Sequence, residues 1–127
     1  MMVIMYKISQ EKIQEVADKI VQEFKPEKVI LFGSCAWGEP NEDSDVDLFI
    51  VKETENTRET AREIDSSIRP RPFPIDLIVY TPEEIEESIN KNHNFFIEDI
   101  IRNGKILYQK FGGVEIILPN RPLTILQ

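Results

Sequence analysis

The apolar positions change their period several times along the chain. Ile13, Val16, Ala17, Ile20, Val21 and Phe24 recur at i, i+3, i+4, i+7, i+8 and i+11. That spacing places them on one stripe and predicts an amphipathic helix over 9–24, capped by Ser9. Lys25-Pro26 ends it, because the residue before a proline avoids helical geometry. Lys28–Phe32 is then a short apolar run closed by Gly33, which reads as a buried strand. Residues 34–44 are small and polar and read as a connection. Val46–Val51 reads as a second strand. Asn56–Ile68 reads as a helix with Ala61, Ile64 and Ile68 turned inward. Pro70, Pro72 and Pro74 force extended chain, and Ile75–Tyr80 follows as a third strand. Thr81-Pro82-Glu83-Glu84 has the pattern of a capping box with proline at the first helical position, so a helix should run to about Asn90. Phe95–Arg102 predicts another helix, stopped by Asn103-Gly104, and Lys105–Tyr108 a last strand. Strands alternating with helices imply an α/β or α+β layer fold.

Residues 1–108 therefore read as one domain. Residues 109–127 differ. They open on Gly112-Gly113, are apolar, carry two prolines and show no helical period. They are expected to form an extended arm, packed on the domain itself or against a partner or a second copy.

Composition narrows the chemistry. With 127 residues the chain can bury a core without disulfides or a structural metal. Cys35 is the only cysteine and His93 the only histidine, so a cysteine-based zinc cluster and a multi-histidine metal site are excluded. Any metal must be held by carboxylates. The net charge of -8 disfavours direct binding of nucleic acid. No apolar run approaches the length of a membrane span, and the N-terminus lacks the features of a signal peptide. A cytoplasmic protein is expected. Cys35 reads as a small buried filler, His93 as a loop residue, and Arg69 and Arg71, among the prolines, as surface cations.

The chemistry concentrates in 29–51. Asp45 and Asp47 stand at i and i+2, so on a strand they share a face. Two carboxylates side by side repel, and a divalent cation resolves that conflict. Gly33-Ser34 follows the first strand at a turn. Glycine there lets backbone approach a ligand, and the Ser34 hydroxyl with nearby N–H groups can hold phosphate oxygens. Asp76 interrupts the apolar run of the third strand, where an unpaired aspartate is costly. If the 56–68 helix is a crossover, the second and third strands are parallel and all three carboxylates share one end of the sheet. Three carboxylates with a phosphate-binding turn suit an in-line displacement at phosphorus assisted by two metal ions. Asp43, Asp45 and Asp47 also mimic the start of an EF-hand loop, but Leu48 and Thr54 occupy the positions where that loop needs glycine and glutamate.

Gly33-Ser34, ten intervening residues, Asp45-Val46-Asp47 and the later Asp76 together resemble the nucleotidyltransferase superfamily of DNA polymerase beta. The chain looks most like its minimal, single-domain members, which pair in prokaryotes with a HEPN-domain protein as antitoxin and toxin. The resemblance covers roughly residues 9–108. It implies a nucleotidyltransferase fold, a mixed β-sheet flanked by helices. It implies Mg²⁺, as two ions, with Mn²⁺ as a substitute. It implies transfer of a nucleoside monophosphate from a nucleoside triphosphate, with ATP the expected donor. By position, Gly33 and Ser34 would hold the triphosphate, Asp45 and Asp47 would ligate both metals, and Asp76 would ligate the catalytic metal and help activate the acceptor hydroxyl. One departure stands out. Many minimal members carry arginines after the Gly-Ser pair, where this chain has Cys35 and Trp37.

Two functional classes follow. One is an enzyme that transfers a nucleotide to a hydroxyl, with the acceptor presented by another chain such as a HEPN-type protein. The other is a non-catalytic, antitoxin-like module that masks a partner protein. Intact carboxylates favour the first; the replaced arginines and small size favour the second. A homo-oligomer is compatible with either.

Overall fold

The computed structural model describes residues 8–38 and 44–112. The expected arm falls outside them from residue 113 onward. Helix α1 (Gln10–Phe24) opens the described chain, and the Ser9 hydroxyl accepts the Lys12 N–H, as the sequence implies. Ile13, Val16, Ala17 and Ile20 are its buried face, while Val21 and Phe24 at the same stripe's edge are half-covered. Lys25 ends the helix in the left-handed region with its N–H on the Val21 carbonyl.

Four strands form one sheet: β1 (Lys28–Phe32), β2 (Val46–Val51), β3 (Ile75–Tyr80) and β4 (Lys105–Gln109), in the order β3-β2-β1-β4. β1 pairs antiparallel with both β2 and β4, and β2 pairs parallel with β3. The sheet is therefore mixed. The parallel pair needs a crossover, which α3 (Thr57–Ser67) supplies. Asn56 caps α3 by accepting the Glu59 N–H. Thr81 and Glu84 form the reciprocal capping box at the start of α4 (Pro82–Glu86). The helix expected to reach Asn90 widens instead into a π-helical turn, Glu87–Lys91. Asn94 caps α5 (Phe95–Asn103).

One further correction concerns 34–44. Its start is not a plain connection but a single helical turn, α2 (Ser34–Trp37), while 39–43 lie outside the described residues. Four residues are too few to generate a readable period, so the pattern could not reveal it.

Alternation along the strands divides the core in two. Val29, Leu31, Val46, Leu48, Ile50, Ile75 and Val79 face α1 and α3. Ile30, Phe32, Phe49 and Val51, with Ile78 and Tyr80, face α4, the π-helical turn and α5. Both are buried hydrophobic layers, and burial of each large aliphatic side chain contributes about 1.5–3 kcal/mol.

Candidate functional site

The site grows from one end of the sheet. β1 ends at Phe32, whose cross-strand partner on β2 is Asp47. Asp47 in turn stands opposite Asp76 across the parallel β2–β3 pair. Side chains that are paired across a sheet share a face, so Asp47 and Asp76 emerge side by side next to Phe32. That is the face covered by α4 and α5, and the acids lie at its end, beyond the apolar layer. Asp45, just ahead of β2, is exposed.

Gly33 closes this arrangement. Its φ of 78° and ψ of -161° belong to a region open essentially to glycine. A Cβ built on it would overlap Oδ2 of Asp47. The turn therefore brings bare backbone against the Asp47 carboxylate, and any side chain at 33 would displace it. Ser34 follows, exposed, as the first residue of α2.

Three contacts pin α2. The Cys35 thiol donates to the Asp45 carbonyl at 3.4 Å, Gln10 Nε2 of α1 donates to the Cys35 carbonyl at 3.3 Å, and Trp37 Nε1 donates to the Asn103 carbonyl of α5 at 3.1 Å. Cys35 and Trp37, in the positions expected to hold arginine, thus tether the turn to the residue before β2 and to α5. Sequence reasoning took Cys35 only as a filler, and it is indeed buried. The hydrogen bond to Asp45 had no sequence signal, because its partner is a backbone carbonyl.

The electrostatics follow from the geometry. Burial pushes the Asp47 carboxyl above its usual range, and the charges of Asp76 and Asp45 push it further. Burial likewise raises the Cys35 thiol; the Ser34 hydrogen bond opposes this, while Asp47 and Asp45 add to it. A thiol held protonated is a hydrogen-bond donor and a poor nucleophile.

Asp76 differs from expectation in its surroundings. β3 is an edge strand, and Asp76 is exposed rather than embedded among apolar neighbours. The desolvation cost inferred from its apolar run is therefore small. Among the described residues no three His, Cys, Asp or Glu side chains close into a ready-made metal cage. Mg²⁺ does not require one: it keeps several waters and is bound through one or two carboxylates plus substrate phosphates. An all-oxygen donor set with neighbouring carboxylates fits that ion better than a soft-ligand metal. His93 lies away in an exposed loop with a positive φ of 51°.

No helix among the described residues is long and apolar enough to cross a membrane. The family model described as polymerase beta nucleotidyltransferase matches residues 11–111, which span every strand of the sheet. No curated protein sequence matches the chain. Among solved structures, a nucleotidyltransferase-like protein from Sulfolobus solfataricus superposes with a TM-score of 0.54 at 20% identity, covering 84% of this chain and 86% of that one, a likeness of fold. The MntA–HepT toxin–antitoxin structure scores 0.41 at 16% identity, covering 81% of this chain and 75% of that one. The mixed sheet, the glycine turn against Asp47 and the match over 11–111 lead to one assignment: the chain belongs to the polymerase beta family of nucleotidyltransferases.

Proposed function

We propose that the chain transfers a nucleoside monophosphate, with ATP as donor, to a hydroxyl presented by a partner protein of the HEPN type. One observation carries the reading: the strand register sets Asp47 opposite Asp76, with the Gly33 backbone against the same carboxylate. Asp47, Asp76 and the glycine turn then meet at one sheet end, with Asp45 just ahead of β2.

In this reading Gly33 and Ser34 hold the triphosphate, the first through backbone approach and the second through its hydroxyl. Asp45 and Asp47 hold Mg²⁺, and Asp76 completes the set on the side where the acceptor enters. Bound Mg²⁺ supplies positive charge to the attacking and leaving oxygens of the displacement. The acceptor O–H attacks the α-phosphorus, a new O–P bond forms, the α–β P–O bond breaks and pyrophosphate departs. Asp76, exposed at the edge, takes the acceptor proton or orients the hydroxyl from which it leaves. The Cys35–Asp45 and Trp37–Asn103 hydrogen bonds keep the glycine turn in place while this happens.

The test mixes the chain, its genomic-neighbour protein, ATP and Mg²⁺ and follows intact mass. One AMP mass per modified hydroxyl is expected, on tyrosine, and Asp76→Asn should abolish it while the complex still forms. A tight complex with no added mass for any common nucleoside triphosphate would favour the masking module instead.

A further inference from the structure

A cleft of about 410 Å³ runs along the outer side of β3. Its walls are Arg58, Ala61, Arg62 and Asp65 of α3, Arg71 from the segment before β3, and the strand residues Ile75, Asp76 and Leu77. Three arginines gather here on a chain whose net charge is -8. They are committed to different degrees. Arg62 meets Glu59 in a pair exposed on both sides, which is worth little and exchanges readily. Arg71 bonds Asp65 and donates to the Ile75 carbonyl. Arg58 has no ion pair among the described residues.

Among the described residues no strand lies on the outer side of β3, where the Ile75 carbonyl accepts from Arg71. The bonds from Val46 N–H to the Pro74 carbonyl and from Lys52 N–H to the Tyr80 carbonyl bracket the β2–β3 ladder. Parallel pairing repeats every two residues, so the even-numbered residues of β3 turn their backbone groups to β2. The N–H and C=O groups of Leu77 and Val79 are left along the outer edge. An open edge pairs with another extended peptide.

We propose that this edge docks the acceptor as an acidic extended peptide, whose strand parity presents a hydroxyl to Asp76. The inference rests on the nucleotidyltransferase reading above. A strand added beside β3 alternates its side chains between the two sheet faces. One parity lies on the α3 side, where Arg58 and Arg62 stand. The other lies on the face shared by Asp47 and Asp76. The matching sequence has acidic residues at every second position and a tyrosine, serine or threonine between them. A peptide is favoured over nucleic acid because the edge offers amides and carbonyls in strand geometry.

The test uses a fluorescent peptide of about nine residues, enough to run along β3, alternating glutamate with valine and carrying one tyrosine, its one hydroxyl side chain, at a valine position. Anisotropy should report binding that weakens at least about tenfold in Arg58→Glu with Arg62→Glu and falls with added salt. N-methylating alternate amides of one parity should abolish binding, and of the other parity should spare it. Moving the tyrosine to a glutamate position should keep binding but lose AMP transfer. Equal binding of a lysine-for-glutamate peptide, equal competition by an oligothymidylate, or indifference to the double charge reversal would each overturn the proposal. The melting-temperature rise with ATP and Mn²⁺ is measured in parallel. If it persists while the peptide fails, the docking inference falls alone. If it is absent while the peptide binds, the nucleotide reading falls and the docking edge stands.

Discussion

Strand β2 carries two different environments on its two faces. Toward α1 and α3 it shows Val46, Leu48 and Ile50, all buried in an apolar layer. Toward α4 and α5 it shows Phe49 and Val51 in a similar layer, but the series begins with Asp47. The first face is satisfied by packing alone. The second ends in Asp47, whose proton affinity is raised by burial and by the charges of Asp76 and Asp45, which packing cannot cure. The contrast separates what holds this protein together from what it does: residues one position apart on the same strand serve stability on one side and chemistry on the other.

Breaking the packed face should produce the largest effect. Ile50→Ala removes a fully buried side chain from that layer. A loss of about 2–5 kcal/mol is expected, read as a lower midpoint in urea unfolding. A loss below about 1 kcal/mol would show that this face collapses around the gap.

Ligand linkage probes the other face. ATP with Mg²⁺ at about a hundred times its Kd should add roughly 2.7 kcal/mol to the folded state, seen as a higher Tm. Asp45→Asn with Asp47→Asn should remove that gain. A double variant with an undiminished shift would place the nucleotide elsewhere.

Gly33→Ala tests the joint between the two faces. The added methyl overlaps the Asp47 carboxylate and forces a residue with a side chain to φ 78°. Stability should fall by about 1–3 kcal/mol, and the ATP-dependent rise in Tm should shrink with it. Retention of both would mean that the turn relaxes without moving Asp47.

The smallest effect should have the opposite sign. The folded state raises the proton affinity of Asp47, so ionising it at neutral pH costs more in the folded chain than in the unfolded one. Asp47→Asn removes that cost. The ligand-free protein should melt higher by on the order of 2 °C. A clear drop in Tm would mean instead that the carboxylate is a structural hydrogen-bond acceptor.

Most of the fold was legible because its periods are strong. The stripe from Ile13 to Phe24, the runs 28–32, 46–51 and 75–80, and the caps at Ser9 and Thr81 all answer to local rules of spacing and hydrogen bonding. The candidate residues Gly33, Ser34, Asp45, Asp47 and Asp76 were legible as types at a spacing. The single turn of α2 and the π-helical turn after Glu86 were not, since each is shorter than the period that would announce it.

The sequence by itself determined which residues alternate between core and solvent, where the longer elements lie, and which acids interrupt apolar runs. Those are properties of neighbours in the chain. Only the tertiary structure decided that Asp47 faces Asp76, that Asp76 sits on an open edge rather than in a buried strand, that Cys35 and Trp37 tether the glycine turn, and that Arg58, Arg62 and Arg71 share one cleft. The reason is physical. Strand order and register are set by how whole faces bury against α1, α3 and α5, and no local pattern around an aspartate or an arginine records which strand will lie beside it.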